Sequence, residues 1–506
     1  MAGSSRARAQ GTGGAIATGN VEEFDVVIVG AGISGIGAAH HLAEQCPEKT
    51  FLVLEAHESY GGTWLIHQYP GIRSDSDLYT FGYRFKPWTG APIATGEEIQ
   101  RYLGEVIAED GLDEHVRYRH RIERASFDSA TDRWTLEATN AATGELVRVA
   151  TSFLWMCQGY YRHESGYTPT WPGMERFGGR IVHPQTWPED LDLAGSRVTV
   201  IGSGATAATL VPAIAGDCEH VTLLQRSPTY FVTGFNHNEL ADLLRSIEIP
   251  EEWIHEIVRR KTLKDQGELT QLALDEPELV KAELLNGVRA HLGDDFDVDT
   301  HFSPRYRPWQ QRIAFIPEGD LFQGIASGRA SVVTDTIETF TETGIRTTGG
   351  TEIEADVIVT ATGFDLSVMG GIAFEVDGDP VDWAETVTYR GMMFTGVPNL
   401  LWIMGYFRAS WTLRVDLLGD FTCRLLQHLD ELGATRVTPR LRPDEEGLER
   451  LPWMDPDNFN PGYLQRSMHL MPKRLDRPEW GHTQDYWRER DEIPEVDLDD
   501  GCLAFE

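Results

Sequence analysis

Two glycine-rich turns in this 506-residue chain have the residue types and spacing that bind dinucleotides. In the first, Gly30, Gly32 and Gly35 follow the apolar run DVVIV (25–29) and open a helix-patterned stretch. Such glycines let a pyrophosphate approach the helix N-terminus, whose dipole favours negative charge. Glu55 ends the next apolar run and can accept hydrogen bonds from a ribose diol. The first turn therefore predicts a site for a dinucleotide without a 2′-phosphate, and FAD is the favoured cofactor.

The second turn, Gly202 to Ala207, differs from the first at the end of the strand that follows it. That strand ends in Arg226 and Ser227, with no acidic residue. An arginine beside a hydroxyl suits the 2′-phosphate of NADP, which a carboxylate would repel. The alternative interpretation of Arg226 is an ordinary surface arginine. The second turn predicts an NADPH site.

A third glycine pair, Gly61 and Gly62, begins the segment GGTW, and the segment YPGIRSD (69–75) follows it. Adjacent glycines would let the backbone lie against a flavin ring that Trp64 could cover; the alternative is a turn with a core tryptophan. None of the five cysteines forms a CxxC pair, which excludes the mechanism of a disulfide reductase. Electrons would then pass from NADPH to the flavin and on to an acceptor outside the protein, for which O₂ is the obvious choice.

The elements that position these turns form two strand–turn–helix–strand units, over residues 25–55 and 196–227. Helix-forming runs with interleaved charges occupy 236–291, and strand-like runs return from Ala330. We therefore expect an α/β protein with two Rossmann-like dinucleotide-binding domains, the second inserted in the first, and a small helical insertion. The expected parts are a disordered leader, 1–20; the FAD-binding domain, 21–160 and 385–506; the NADP-binding domain, 161–235 and 326–384; and the helical insertion, 236–325.

The formal net charge of −35 argues against partners that need clustered Lys and Arg, so neither nucleic acid nor an anionic membrane is expected. The leader lacks the apolar core of a signal peptide, and no run reaches the ~18 apolar residues of a membrane span. Five scattered cysteines indicate neither a disulfide framework nor a cysteine-rich metal site. We expect a cytoplasmic protein without an integral membrane segment or a bound metal. The acidic end, residues 491–506, is interpreted as a surface tail.

The segment FGGRIVHPQTWP (177–188) lies just before the second glycine turn and has the spacing F-x-G-x-x-x-H-x-x-x-W-P. Two further patterns are Gly-Gly-x-Trp, Tyr-Pro-Gly and Asp within 61–75, and Ala-Thr-Gly at 361–363. Together they resemble the fingerprints of the type I Baeyer–Villiger monooxygenases, from about Asp25 to Arg474. Within that family the chain is most similar to the mycobacterial group that activates ethionamide. The resemblance implies that residues 177–188 are a linker between the two nucleotide domains, with the fingerprint residues Phe177, Gly179, His183 and Trp187.

The resemblance implies an enzyme that depends on FAD, NADPH and O₂. NADPH would pass hydride to FAD, O₂ would add at C4a of the reduced flavin, and the resulting peroxide would convert ketones to esters or lactones and thioethers to sulfoxides. The family's catalytic arginine falls on Arg312, with Asp75 as its carboxylate partner. Many members have a lysine just before this arginine, which helps to hold the 2′-phosphate, whereas this chain has Gln311. The resemblance gives His183 a role through the linker rather than on the substrate.

Other flavoprotein classes share the two nucleotide sites. A flavin-dependent N-hydroxylase or a simple NADPH oxidase would not need Arg312 with Asp75, and a non-catalytic flavoprotein sensor would need no NADPH site. The residues that we assign to the cofactors are, for FAD, Gly30, Gly32, Ser34, Gly35, Glu55, Gly62, Thr63, Trp64, Arg73, Ser74, Asp75 and Ile122, and, for NADP, Gly202, Ser203, Gly204, Ala205, Thr206, Ala207, Arg226 and Ser227.

Overall fold

The computed structural model describes residues 21–506, so the predicted leader, residues 1–20, lies outside the described residues. The strands are β1 Glu22–Val29, β2 Phe51–Leu54, β3 Val116–Arg117, β4 His120–Asp128, β5 Arg133–Asn140, β6 Leu146–Met156, β7 Tyr161–Gly166, β8 Arg180–Val182, β9 Arg197–Ile201, β10 His220–Gln225, β11 Phe231–Gly234, β12 Ala314–Pro317, β13 Ala330–Thr334, β14 Ile337–Phe340, β15 Gly344–Thr347, β16 Glu352–Glu354, β17 Val357–Thr360, β18 Phe364–Leu366, β19 Ala373–Val376, β20 Asp379–Pro380, β21 Thr388–Tyr389, β22 Met393–Phe394, β23 Leu400–Trp402, β24 Val437–Pro439, β25 Leu451–Pro452, β26 Lys473–Arg474 and β27 Leu503–Phe505.

The α-helices are α1 Ile33–Gln45, α2 Thr63–Ile66, α3 Leu78–Phe81, α4 Gly96–Glu109, α5 Ala205–Ile214, α6 Glu239–Ser246, α7 Glu251–Asp275, α8 Pro277–Leu292, α9 Val298–Phe302, α10 Asp320–Ala326, α11 Trp411–Leu432, α12 Gly462–Ser467 and α13 Tyr486–Glu492. None of the helices within residues 21–506 is long and apolar enough to cross a membrane.

The largest sheet is built around β1, which pairs in parallel with β2 on one side and with β6 on the other. Residues Val26 to Val29 and Phe51 to Leu54 are all buried, as expected of strands covered on both faces. Antiparallel pairing of β6 with β5 and of β5 with β4 extends this sheet, which has nine strands. Helix α1 follows β1 and packs against α11. This is the first of the two units that the sequence predicts.

The second sheet has five strands, all parallel, in the order β13–β10–β9–β17–β8. Helix α5 connects β9 to β10 and buries Leu210, Val211 and Ile214 in the core of this sheet. Two such α/β units confirm the predicted fold class.

The chain returns from the second sheet to the first earlier than predicted. Strand β19 pairs in parallel with β4, and β20 pairs with β19, so residues 373–380 belong to the first sheet. The predicted boundary between residues 384 and 385 therefore does not match the sheets. The edge strand of a sheet has free N–H and C=O groups that accept any extended segment, so the local sequence does not reveal such a pairing.

The predicted helical insertion, residues 236–325, packs against both sheets instead of forming a unit of its own. Helix α7 places Ile254 and Val258 in the core of the first sheet, whereas α8 places Leu285 and Val288 in the core of the second. The same segment contains β12, which pairs in parallel with β11. It therefore bridges the two halves of the protein.

The acidic C-terminal end is docked on the protein, so the prediction of a surface tail is wrong. Ile493, Val496 and Leu498 are buried in the core of the first sheet, and β27 pairs with β24 in antiparallel fashion. The prediction fails because these apolar residues are interspersed with the acidic ones. The acidic side chains face solvent while the apolar side chains anchor the segment.

His255 of α7 makes the packing of this helix sensitive to acid. Its side chain is buried, and its Nδ1 accepts a hydrogen bond from the backbone N–H of Trp88 at 3.2 Å. Burial, reinforced by the nearby charge of Arg259, lowers the pKa of His255 from 6.5 to about 4. Below about pH 6.5 the unfolded chain therefore gains a proton that the folded protein does not take up. The full contribution of neutral His255 to the free energy of unfolding is present above pH 6.5, and it is lost as the pH falls towards 4.

We expect His255→Asn to reduce this loss of stability in acid. Asparagine keeps an acceptor near the position of Nδ1 but does not titrate. Because the pKa of His255 is lower in the folded protein than in the unfolded chain, the free energy of unfolding falls by about 3 kcal/mol between pH 6.5 and 4. Apparent melting temperatures of both proteins, measured from pH 7.5 to 4.5, should fall less steeply for the variant. Parallel pH profiles for the two proteins would contradict the expectation.

Candidate active site

One large cavity is lined by the ends of both βαβ units. Its volume is about 1060 Å³, at the upper end of the ~300–1,000 Å³ typical of pockets for small organic ligands. Gly32 and Glu55 of the first unit and Gly204 and Arg226 of the second all contribute to its wall. The cavity therefore has room for long ligands at each turn and for their reacting ends between the turns.

The first turn is tight because backbone packs directly against backbone. A Cβ atom on Gly35 would lie 1.8 Å from the carbonyl oxygen of Gly30. Gly30 itself has a φ of +102°, which favours glycine. Gly32 precedes α1 without a side-chain cap, so the free N–H groups of the first helical turn remain available at the cavity. This end of α1 fits a pyrophosphate.

The Glu55 carboxylate is fixed beside the first turn. Its Oε2 accepts the N–H of Ala31 at 2.7 Å, and its Oε1 accepts the N–H of His57 at 2.8 Å. Burial alone would raise the pKa of Glu55, but hydrogen bonds from the His57 imidazole and from these N–H groups outweigh it and lower the pKa. An ionised carboxylate with unused lone pairs at the cavity wall fits a ribose diol.

The second turn repeats this packing but leaves one side open. Gly202 has a φ of +137°, and a Cβ atom there would lie 2.2 Å from the carbonyl oxygen of Ala361. A Cβ atom on Gly204 would meet no atom within 4 Å, and Gly204 lines the cavity. Ser203 Oγ donates to the carbonyl of Ser227 at 2.9 Å, which ties the turn to the end of β10. A phosphate could approach the backbone of Gly204 closely.

Arg312 is held at the cavity wall by Asp75, which lies 237 residues earlier in the chain. Its Nε and Nη2 both donate to the carboxylate, the latter at 2.7 Å, and Nη2 also donates to Ser76 Oγ at 2.8 Å. Nη1 donates to the carbonyl of Phe407 at 2.9 Å. Burial opposes the charge on Arg312, but the Asp75 carboxylate outweighs burial and raises the pKa of the guanidinium. The side chain is therefore a fixed positive charge.

Residues 24–285 match the sequence profile of the pyridine nucleotide-disulphide oxidoreductase family, which is about half of the chain. The FAD-containing monooxygenase EthA of Mycolicibacterium smegmatis is 46% identical over 486 residues, which cover 96% of this chain and 97% of EthA. This chain belongs to the family of FAD-containing monooxygenases.

The monooxygenase also shares its fold with solved structures. A steroid monooxygenase bound to NADP is 25% identical, with a TM-score of 0.73, over 96% of this chain and 99% of that one. A cyclohexanone monooxygenase from Rhodococcus sp. Phi1 bound to NADP⁺ is 21% identical, with a TM-score of 0.73 and the same coverage of both chains. The resemblance to the Baeyer–Villiger family that the sequence indicates is thereby confirmed.

Most of the residues assigned to the cofactors line the cavity of the monooxygenase, and their contacts with the cofactors remain predictions. The cavity-lining residues of that set are Gly30, Gly32, Ser34, Glu55, Gly62, Thr63, Trp64, Arg73, Ser74, Asp75, Ile122, Gly202, Ser203, Gly204, Ala205, Thr206, Arg226 and Ser227.

Three of the assigned residues have a different environment from the one expected. Gly35 packs on the Gly30 carbonyl, and Ala207 is fully buried in the core of the second sheet, so neither reaches the cavity. These third positions of the turns permit close packing of helix on strand instead of contacting a ligand. Arg73 lines the cavity, but its Nη1 pairs with Oδ2 of Asp320 at 2.5 Å. It thereby links the first half of the protein to α10.

The GGTW segment lies at the cavity wall and its tryptophan also packs in the core, while its contact with a flavin stays a prediction. The position of a Cβ atom on Gly62 lies 3.1 Å from Cα of Gly32, so the two glycine segments touch. Thr63 Oγ1 hydrogen-bonds the hydroxyl of Tyr161 at 2.6 Å. Trp64 is a core residue in edge contact with Phe81 and also a wall of the cavity.

His183 lies where the two chain connections between the sheets meet. Strands β7 and β18 pair in antiparallel fashion, and a Cβ atom on Gly166 of β7 would lie 1.9 Å from His183 Cε1. Nδ1 of His183 accepts the N–H of Gln185 at 3.1 Å. Its Nε2 is buried and has no hydrogen-bond partner within residues 21–506. This position favours the predicted role in the linker over a role in proton transfer to a substrate.

The other fingerprint residues of the linker pack around the second sheet. A Cβ atom on Gly179 would lie 2.1 Å from the carbonyl oxygen of Asp356, so the chain passes very close to the start of β17. Phe177 and Trp187 pack against apolar clusters on this sheet. The fingerprint therefore fixes the path of the linker.

Among the aromatic side chains of the cavity wall that the sequence analysis missed, five form one cluster. Two stacked pairs, Tyr160 with Trp411 and Phe407 with Phe459, have ring centroids 5.3 and 4.9 Å apart. They come from three segments, at residue 160, at 407–411 and at 459–463, which share no motif, so no local signal identifies the cluster. The five residues are Tyr160, Phe407, Trp411, Phe459 and Tyr463.

Proposed function

We propose that this monooxygenase uses NADPH and O₂ to insert one oxygen atom beside the carbonyl of an apolar ketone, which yields an ester or a lactone. Thioethers would be oxidised to sulfoxides in the same cavity. The observation that carries the proposal is the charged guanidinium of Arg312, which Asp75 and the Phe407 carbonyl hold at the cavity wall. Bound FAD would accept hydride from NADPH and activate O₂ for this insertion.

The first turn offers the groups that FAD needs. The N–H groups at the start of α1 would hold its pyrophosphate, and Glu55 would accept hydrogen bonds from its ribose hydroxyls. The contact between Gly62 and Gly32 brings a second glycine segment against this site. Trp64 would shield the bound ring system on the protein side.

The second turn offers the groups that NADPH needs. The open side of Gly204 would admit the pyrophosphate to the N-terminus of α5. Arg226 and Ser227, at the end of β10, would hold the 2′-phosphate. The steroid monooxygenase that is 25% identical to this chain is bound to NADP. This supports the assignment of the second turn to NADPH.

Arg312 would stabilise the negative charge that develops on oxygen during insertion. A fixed cation is most effective where water is excluded, because the local dielectric is then low. The stacked rings of Phe407 and Phe459 supply such a wall next to the guanidinium. A simple NADPH oxidase would have no use for a cation that is held so firmly, which favours oxygen insertion over the oxidase alternative.

The aromatic wall also favours a substrate with an apolar body. Its rings would contact hydrocarbon by dispersion and would offer few partners to a charged compound. A flavin-dependent N-hydroxylase would bind an amine, usually as a cation, close to the activated oxygen. The Arg312 charge would repel that cation. Neutral ketones and thioethers therefore fit this cavity better.

Product identification under ¹⁸O₂ tests the proposed function. The FAD-loaded enzyme with NADPH would be offered aliphatic and aryl ketones, thioethers and primary amines, with an anaerobic reaction as control. We expect esters and sulfoxides that each contain one ¹⁸O atom. Hydroxylamines as the only products would assign the enzyme to the N-hydroxylases. Hydrogen peroxide without any oxygenated product would assign it to the oxidases.

A further inference from the structure

The second nucleotide site has an arginine that no sequence motif indicates. Arg466 of α12 lines the cavity together with Arg226 and Ser227. Neither arginine has a carboxylate oxygen within 4 Å in the part of the chain that the structure describes. By contrast, Arg73, Arg121 and Arg312 of the same cavity are paired with Asp320, Glu164 and Asp75. Unpaired arginines are unexpected in a chain with a net charge of −35.

The guanidinium of Arg466 is held in place without being neutralised. Its Cζ lies 3.5 Å from the ring centroid of Tyr167, and its Nη2 donates to the carbonyl of Phe364 at 3.3 Å. Nη2 also lies 3.9 Å from the position of a Cβ atom on Gly363. A guanidinium has five N–H donors, so several remain available to a ligand.

Arg466 and Arg226 both lie near the second turn, close enough for their charges to interact. Gly363, which Arg466 covers, follows two residues after Ala361, whose carbonyl packs on Gly202 of that turn. Burial lowers the pKa of Arg466, and the charge of Arg226 lowers it further, while Asp365 and Tyr167 oppose these effects. Two neighbouring cations without a paired carboxylate are stabilised when an anion binds next to both of them.

We propose that Arg466 is the second cation of the 2′-phosphate site, in place of the lysine that many family members have where this chain has Gln311. This proposal rests on the proposed use of NADPH. Gln311 has a supporting function: its Nε2 donates to Oδ1 of Asn460 at 3.2 Å. Asn460 immediately precedes the turn that starts α12, so Gln311 anchors the helix that presents Arg466. In this chain the second positive charge of the site would thus come from α12, whereas in many family members it comes from the residue just before the catalytic arginine.

Binding of NADP⁺ and NAD⁺ to the FAD-loaded protein tests this proposal without requiring turnover. We expect Arg466→Met to weaken NADP⁺ binding by about 10- to 100-fold, the effect of losing a charge-assisted hydrogen bond. NAD⁺ binding should change less than about threefold, because NAD⁺ lacks the phosphate. Methionine keeps an apolar stem against Tyr167, and Arg466→Lys should restore part of the NADP⁺ affinity. Isothermal titration gives all of these affinities.

Three further variants separate the possible failures. Arg162→Met is the matched control, since Arg162 also lines the cavity and has no ion pair among residues 21–506 but belongs to the outgoing strand β7. Both affinities should stay unchanged. Equal weakening of NADP⁺ and NAD⁺ by Arg466→Met, or no weakening of either, would overturn the proposal for Arg466. Arg226→Met should weaken NADP⁺ selectively even then. If neither Arg226→Met nor Arg226→Lys alters the preference for NADP⁺, the proposed NADPH site itself is wrong.

Discussion

Arg312→Ala is expected to separate flavin reduction from oxygenation. The variant should still contain FAD, and NADPH should still bleach it, because the two glycine turns, Glu55 and Arg226 lie on other parts of the cavity wall. Ester formation should fall by roughly 10²- to 10³-fold, and hydrogen peroxide should be released under air. A unit charge pair at 4 Å is worth ~4 kcal/mol at an effective dielectric of 20, and losing most of it accounts for this effect.

Stopped-flow absorbance and a product assay on the same samples measure both half-reactions. Arg121→Ala is the matched control, because Arg121 also lines the cavity and is paired with a carboxylate, that of Glu164; it should behave as the wild type. Asp75→Ala should slow oxygenation, since Arg312 would then be held only by Ser76 and the Phe407 carbonyl. It should also slow flavin reduction, because we expect the Asp75 carboxylate to position the nicotinamide of NADPH as well as Arg312. A normal ester yield from Arg312→Ala would end the proposed mechanism.

Gly204→Ala is expected to weaken NADP⁺ binding by at least about tenfold while leaving the folded protein unchanged. The new methyl group would meet no protein atom within 4 Å, and the φ of −79° at this position suits alanine. The methyl group would instead occupy the space through which a phosphate reaches the N–H groups of α5. Melting temperature and FAD content should equal those of the wild type.

Gly202→Ala gives the opposite pattern and serves as the comparison. Its Cβ would lie 2.2 Å from the Ala361 carbonyl oxygen, at a φ of +137° that alanine rarely adopts. This variant should lose stability even without any nucleotide. Unchanged NADP⁺ affinity in Gly204→Ala would show that the nucleotide does not bind at the second turn.

The two glycine turns could be predicted from the sequence because each depends on contacts within one strand–turn–helix unit. The Gly35 contact with Gly30 and the N-terminus of α1 are local, and so are their counterparts at Gly202 and α5. The fold class follows from the same two units. The pairing of Arg312 with Asp75 spans 237 residues, and only the resemblance to a known family indicated it.

The parts that could not be predicted depend on contacts between distant segments. Phe459, Tyr463 and Arg466 carry no motif, and only the folded chain brings them beside the second turn and Arg312. The pairing of β19 with β4 uses backbone groups of an edge strand, which any extended segment could satisfy. The acidic end docks through five buried residues, Ile493, Val496, Leu498, Cys502 and Leu503, whose partners the local sequence does not specify.

The antiparallel pairing of β7 with β18 has a mechanical consequence for the two nucleotide sites. Because the outgoing and returning connections are hydrogen-bonded to each other, they form a single two-stranded ribbon instead of two independent tethers. Sliding along such a ribbon would break its hydrogen bonds, whereas a two-stranded ribbon accommodates twist readily. The second sheet therefore has one soft degree of freedom at this joint, a rotation about the ribbon axis. The turn at Gly202 contacts the returning connection at Ala361, so this turn stays close to the ribbon during such a rotation.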